Sequence, residues 1–416
     1  MIRRLLLAAL VLCAGCAGWP SRWGDHPCCV DSKPTVHTQP IAWHLFDVTA
    51  IEPLEESMHL IRTGRKIAGI PVEAYNLEHG QVNDTAFFTN RAISSLTPEQ
   101  VRWGPTQPAD LPVPPYTVTK PKVEGKTAGF FVKDSRGARY LFKLDPVDNP
   151  EMLSGAEVVT SKLLYALGYH VPIYEIVWVK AEELGIAEGA RIKNEQGAPE
   201  PFTQEKLNAL VKPRLRDGRM RVCCTKIIEG EILGPASFKK FKDCADMRAL
   251  KIAYAWLNNV DTKDHNSLLI WDGKRTVGYL IDFGTSLGAD AGIGGPKQPC
   301  EGWTYAVDLK EWALKLATFG MHEPKCDIGN DSPTGSSIGL FSENVDPKNW
   351  KPYAPNIAFK EMTPQDARWM AKRMAQLSPQ QITAAVEAGA YTRQEDVLYL
   401  TKMLLARRDR IVSYYK

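Results

Sequence analysis

From Tyr116 the chain passes through three short β-rich segments, "YTVTKPKVEG", "AGFFVKD" and "ARYLFKLD", before its first strongly helical stretch. Gly125 and the "DSRG" of 134–137 stand between them, which makes consecutive hairpins the natural connection. "SGAEVVTSKLLYALGY" follows with a helical stripe of Ala156, Val159, Leu163 and Leu167 and with Gly168 as its stop. "VPIYEIVWVK" reads as another strand, and "RVCCTKIIEGEIL" as a strand leading into a turn. "KDCADMRALKIAYAWLNNV" is an apolar helix that delivers the chain to Asp261. Beyond about residue 303 the pattern is mainly helical, with "TPQDARWMAKRMAQL", "SPQQITAAVEAG" and "RQEDVLYLTKMLLARRDRIVSYY" the clearest segments. Residues 323–358, rich in Pro, Asn, Gly and Ser, read as a long loop. Strands first and helices afterwards predict an α+β fold, with a small β-rich lobe followed by a larger helical one.

Upstream of this region the chain divides further. "QPADLPVPP" (107–115) holds four prolines in nine residues and marks a boundary. Before it, 41–115 is mixed: "TAIEPLEESMHLIRTG" suits a short strand or a helix, and "SSLTPEQVRWG" a helix start with Thr97 as N-cap, Pro98 at N1 and Glu99 behind. The opening "MIRRLLLAALVLCAGCAG" places two arginines before an apolar core from Leu5 to Leu12, too short to span a bilayer. Ala14 and Gly15 then precede Cys16, as in a bacterial lipoprotein signal, with Cys13 where a leucine is usual; the plain alternative is a signal cleaved near Ala17. No later stretch approaches about 18 consecutive apolar residues, so any anchor is a lipid at Cys16. The expected organisation is a signal with its lipobox cysteine (1–16), a tether (17–40), an N-terminal extension (41–115), a β-rich lobe with hinge (116–230) and a helical lobe (231–416). The expected location is the cell envelope, lipid-anchored on the periplasmic side of a membrane, or secretion.

Charge narrows the partners. Without Arg3 and Arg4 the balance is 49 basic to 48 acidic residues, which gives no electrostatic case for nucleic acid. Past Cys16 the cysteines are Cys28, Cys29, Cys223, Cys224, Cys244, Cys300 and Cys326. Export permits disulfides, and an odd count leaves at least one thiol free or paired between chains. A Cys300–Cys326 bond across a loop-rich segment is expected.

Four features carry chemistry. Lys143, in "YLFKLD", lies in a strand among apolar residues, where a fixed cation can reach a phosphate; the plain alternative is a lysine alternating out of an edge strand. Glu157, at the border of the helical stripe, can hold that lysine by an ion pair, or merely favour the helix dipole. Glu151 is a second candidate partner. "NVDTKDHNSLLI" sets Asp261 five residues before Asn266, after a helix and before a strand. An acid there can take a hydroxyl proton, an amide oxygen can ligate Mg²⁺, and Lys263 can neutralise a phosphate; a polar turn is the plain alternative. "YLIDFG" brings Asp282 out of an apolar strand ahead of a glycine, sixteen residues after Asn266 and across a hairpin turning at "WDGKRT". A carboxylate so placed suits Mg²⁺ bridging phosphates.

In this order the four features resemble the protein-kinase-like superfamily, and its atypical members, the HipA-type toxin kinases and phosphatidylinositol-kinase-like proteins, more than ordinary protein kinases. The resemblance covers about 116–320. It implies a two-lobed fold using ATP and Mg²⁺, with Lys143 on the phosphates and Glu157 as its partner. It implies Asp261 as base with Lys263 beside it, Asn266 and Asp282 as metal ligands, and "CCTKIIEGE" (223–231) as the hinge. Gly125, in the hairpin "KVEGKTAGF", falls on the nucleotide side. The sequence departs from the family pattern in having no G-x-G-x-x-G loop, no His-Arg before Asp261 and no Ala-Pro-Glu after Asp282. The expected function is transfer of the ATP γ-phosphoryl group to a hydroxyl on a protein, sugar or lipid headgroup. Because ATP is a cytoplasmic nucleotide and the chain carries an export signal, two alternatives stay open: a non-catalytic lipoprotein that binds or scaffolds, and a nucleotidyl transferase on the same fold.

Overall fold

The computed structural model describes residues 28, 33–34, 40–70, 72–122, 127–193, 198–326 and 332–416. The signal, Cys16, most of the expected tether and Gly125 lie outside the described residues. The architecture is mixed α+β. Seven strands form the main sheet: β1 (Tyr116–Pro121), β2 (Gly129–Lys133), β3 (Arg139–Lys143), β4 (Tyr174–Lys180), β5 (Leu184–Ile186), β6 (Leu215–Arg216) and β7 (Arg219–Lys226). β7 has β4 along one edge; along the other it has β6 at its start and β3 at its end. β3, β2 and β1 continue as antiparallel neighbours, and β5 closes the edge in parallel with β1.

Alternation along these strands sorts their side chains. Phe130, Phe142, Val222 and Cys224 enter one apolar cluster, which Leu207 and Val211 of a short helix (Gln204–Val211) cover. The opposite face carries Lys143, with Cys223 directly across from it on β7, and meets the helix Met152–Leu167. That helix departs from the one-sided stripe expected of it. Glu157, Thr160, Ser161 and Lys162 are buried along with the apolar residues, because the sheet, the C-terminal helices and segment 85–106 enclose it. Its polar members are therefore all bonded: Lys162 to Glu175 and the Trp103 carbonyl, and Thr160 to Ser286. Gly168 ends it at φ +116°, a left-handed conformation that glycine adopts without strain.

A second sheet of three strands, β8 (Glu231–Gly234), β9 (Ser267–Trp271) and β10 (Thr276–Leu280), lies within the region expected to be helical. β9 and β10 form the predicted hairpin, its turn fixed by Asp272 accepting from the Lys274 and Arg275 amides. The helix Ala245–Leu257 runs through the larger core and stops at Asn258 with φ 49°. Its final carbonyls do not lack donors. The guanidinium of Arg407, on the C-terminal helix Gln394–Tyr414, donates to the Ala255 and Trp256 oxygens. The helices Pro98–Trp103, Pro364–Met374 and Pro379–Ala388 each begin with a Ser/Thr-Pro capping box. In the first of these the reciprocal partner is Gln100 rather than Glu99. The stretch left between strand and helix is helical, as Glu52–Met58 and Leu60–Ile67. Among the described residues no helix is long and apolar enough to cross a membrane.

Cys300 and Cys326 are joined, and so are Cys28 and Cys244; Cys223 and Cys224 are buried free thiols in β7. Cys28 falls in the stretch expected to be a tether, yet it is buried and fastened to the residue that precedes the helix Ala245–Leu257. Closing a loop with a sequence separation of 216 restricts the unfolded chain strongly, an effect of about 3–5 kcal/mol. Cys28→Ser/Cys244→Ser should lower the thermal midpoint by several degrees in a non-reducing melt. An unchanged midpoint would show that the bond does not form in the folded protein.

Candidate active site around Lys143

The site begins with a buried cation. Lys143 ends β3 with its ammonium 2.5 Å from the Glu157 carboxylate and 3.0 Å from Asp282 Oδ1. Burial works to lower its pKa, but Asp282 and Glu157 outweigh it and hold the ammonium well above the usual lysine range. Glu157 is fully enclosed, and burial raises its carboxyl against the pull of Lys143. Asp282 stands at the open end, its side chain 47% exposed. The Lys143 charge keeps its carboxyl below the ordinary aspartate range, with Lys263 and Lys122 adding to the effect. The strand alternation that turns Lys143 away from the Phe142 cluster is what aims it at this helix. Asp145 anchors the same frame: its carboxylate accepts from the Ser154 amide and hydroxyl, so a residue two beyond the end of β3 caps the helix that carries Glu157.

Asp282 itself is held in the left-handed region, φ 64°. Its amide donates to the Tyr174 hydroxyl at 3.2 Å, and the Tyr174 and Phe283 rings pack at 5.7 Å. One residue earlier, the Ile281 amide donates to the Asn266 carbonyl at 3.0 Å. The Asn266 side-chain amide donates to the Asp261 carbonyl at 2.8 Å, which leaves Oδ1 as its acceptor atom. Lys263 donates to Asp261 Oδ2 at 2.5 Å. Lys143, Glu157, Asp282, Asn266, Asp261 and Lys263 are thus linked by a short series of bonds, the sequence step from Ile281 to Asp282 completing it. Glu151, the other candidate for Lys143, lies elsewhere: it bonds the Thr392 amide. Gly125 belongs to 123–126, outside the described residues.

Two residues at the site were not singled out in the sequence. Lys122 precedes the undescribed turn of the first hairpin, and its charge reaches Asp282; the only hint was a lysine where glycines are absent. His44 comes from the helix Ile41–Phe46. Its Nε2 accepts from the Asp264 amide at 3.4 Å, and its ring lies edge-on to His265, 5.6 Å between centroids. Burial, with His265 next to it, pushes the His44 imidazole down to about 4, and burial raises Asp264 to about 6. Nothing local marks a histidine 220 positions from its partner.

No family model matches this chain, and no curated protein matches it in sequence. It is similar in structure to the Helicobacter pylori proinflammatory kinase CtkA at 12% identity and a TM-score of 0.36, over 72% of this chain and 96% of that one. It is also similar to the Golgi casein kinase at 9% identity and a TM-score of 0.37, over 95% of this chain and 94% of the other. Both likenesses are loose, and the chemistry of the site rests on its own geometry.

The geometry makes Lys143 the element whose loss is felt most. Lys143→Met leaves two carboxylates facing each other without a cation, and should cost about 3–5 kcal/mol in urea unfolding at pH 7. Glu157→Gln leaves Lys143 paired with Asp282 and should cost less. The deficit of Lys143→Met should narrow as pH falls, first above and then below the ordinary carboxylate range, for two reasons of the same sign. Glu157, raised by burial, takes up a proton in the variant, while the wild type loses what the depressed Asp282 contributed. Equal costs for the two variants, or a deficit independent of pH, would contradict this assignment.

Proposed function

We propose that the chain is an exported, lipid-anchored phosphotransferase of the atypical kinase-like kind, moving the ATP γ-phosphoryl group to a hydroxyl acceptor. In this reading 116–230 is a small β-rich lobe and 231–416 a larger helical lobe, with ATP between them. The observation that carries it is Lys143 held between Glu157 and Asp282. A buried cation with one enclosed and one exposed carboxylate is what a phosphate-binding lysine beside a metal ligand requires.

The donor set fits Mg²⁺. Asp282 has an exposed carboxylate, and Asn266 has an amide oxygen left over once its NH₂ is bonded; both are hard oxygen donors. The ion, when bound, neutralises charge on the phosphates. The remaining work belongs to the chain. Lys143, kept charged by its partners, meets the phosphate oxygens and is itself oriented by Glu157. Asp261 accepts the proton of the acceptor hydroxyl, and Lys263, already at Asp261 Oδ2, offsets negative charge on the group in transfer. Lys122 adds a cation from the first hairpin in place of a glycine-rich grip. The acceptor belongs to the chemical class of protein, sugar or lipid-headgroup hydroxyls, and a lipid at Cys16 keeps the enzyme at a membrane.

The test is a thermal-shift titration of residues 17–416 with ATP, with and without Mg²⁺, followed by product mass analysis. Wild type should be stabilised by ATP only when Mg²⁺ is present, by about 2–3 kcal/mol at a hundredfold excess over Kd. Asp282→Ala should lose the shift. Asp261→Asn should keep it while transfer falls at least about 100-fold. An Asp282→Ala shift equal to wild type would defeat the metal assignment. Absence of any shift in folded wild type would favour a binding protein without turnover, and a product carrying the nucleotidyl group would favour nucleotidyl transfer.

A further inference from the structure

A second site lies on the Lys143 face of the main sheet, at the opposite end of β7. Arg219 and Arg221 share a face with Cys223, which lies four and two residues on, so the strand that sits across from Lys143 also carries two arginines. They and their neighbours border a cavity of about 690 Å³ that also takes in Arg214, Arg216 and Trp178. Of the residues that build the candidate active site only Asp145, which caps the Glu157 helix, borders it.

The arginines are not equivalent. Arg221 is committed to structure: it donates to the Ser154 hydroxyl at 3.0 Å and to the Gly389 and Ala390 carbonyls, with Asp145 at 3.7 Å. Arg214 donates to the Asp145 and Leu210 carbonyls, with the Asp145 charge acting on it from nearby. Arg216 and Arg219 stand directly opposite each other across the two-residue turn Asp217-Gly218, and Arg219 faces Lys180 on its other side. Like charges directly opposed in a sheet are destabilising. Among the described residues no acidic side chain pairs with Arg216 or Arg219, and Arg216 donates only to the carbonyls of Pro213 and Leu215. Asp145 and Glu151, the wall's other acids besides Asp217, are already engaged by the Ser154 and Thr392 groups. Four arginines in the wall face three carboxylates, so a positive charge is left over, and the opposed Arg216 and Arg219 are where a counter-anion would relieve it.

Size and lining define that anion further. The volume exceeds what a bare oxyanion fills and falls in the range of small-molecule sites. Trp178, paired in register with Arg221, exposes 43% of its surface there, and Pro146, Val147 and Pro150 complete an apolar wall. Guanidinium forks bind phosphate in a bidentate manner, and opposed forks suit a dianion better than a monoanionic carboxylate. We propose that this cavity binds a small phosphomonoester, its phosphate between Arg216 and Arg219 and its apolar or aromatic portion against Trp178. The site is independent of the nucleotide site and does not require the protein to be a kinase.

Phenyl phosphate is the probe, titrated into residues 17–416 by calorimetry at low salt, with inorganic phosphate, benzoate and sulfate in parallel. Saturable binding is expected, at least tenfold weaker in Arg216→Ala/Arg219→Ala and at least fivefold weaker for benzoate. Inorganic phosphate should compete but bind more weakly, since it leaves the Trp178 wall uncovered. Asp282→Ala should bind phenyl phosphate within twofold of wild type, which separates this site from the proposed nucleotide site. If the double substitution loosens the hairpin, Arg219→Gln alone should still weaken binding severalfold with an unchanged melt. No saturable binding of phenyl phosphate through the millimolar range, or binding indifferent to the arginine substitutions, would overturn the proposal. Benzoate or sulfate binding as tightly as phenyl phosphate would overturn its phosphomonoester specificity.

Discussion

The pairing of Lys143 with two carboxylates of opposite exposure sets the terms for much of the surrounding structure. A lysine placed under a helix loses several kcal/mol of hydration, which only close, well-directed charges restore. Glu157 does this from within and Asp282 from the rim. The demand spreads outward. Glu157 must stay on a helix buried on all sides, so that helix takes its first-turn cap from Asp145, two residues beyond Lys143 on the same chain. Asp282 must turn back toward the lysine, so its backbone adopts a left-handed conformation that a short polar side chain tolerates, steadied by Tyr174.

The loop that carries Asp261 is held by different means. The helix before it is packed through the larger core, and its last carbonyls are capped by Arg407 from the far end of the chain, while the Trp256 indole donates to the Leu404 carbonyl. Past the helix, the Val260 carbonyl accepts from the Tyr353 amide, and Asn266 folds back on Asp261. The loop is thus held from outside by Arg407, Leu404 and Tyr353, which have no part in the proposed chemistry, and from within by Asn266.

Much of this site was legible because its residues are local in sequence or periodic. Asp261 and Asn266 share one turn, Asp282 follows one hairpin later, and Lys143 sits where strand alternation must turn it from Phe142. The helix bearing Glu157 was recognisable as a helix but not as a fully buried one, since its outer face is covered by segments distant in sequence on both sides, 85–106 and the C-terminal helices, that leave no local pattern. The same reason hides His44 beside Asp264, Arg407 at the Ala255 and Trp256 carbonyls, and the Cys28–Cys244 bond. The three-stranded sheet was read only as a hairpin: β8 is four residues long, and its pairing with β9 is a tertiary fact. Nothing in the local pattern singles out the arginines of β6 and β7; the register is what sets two of them face to face.

The bond from Cys28 to Cys244 also alters what attachment at the N-terminus means mechanically. With a lipid on Cys16, as proposed, force from the membrane would not travel through the intervening domain. It would enter the body at Cys28, twelve residues along, and pass directly to the residue preceding the helix that ends before Asp261. Twelve residues span at most about 40 Å. Under that anchoring the leash would be set by a covalent cross-link rather than by the length of the extension, and the proposed active site would reach only a shallow layer above the bilayer.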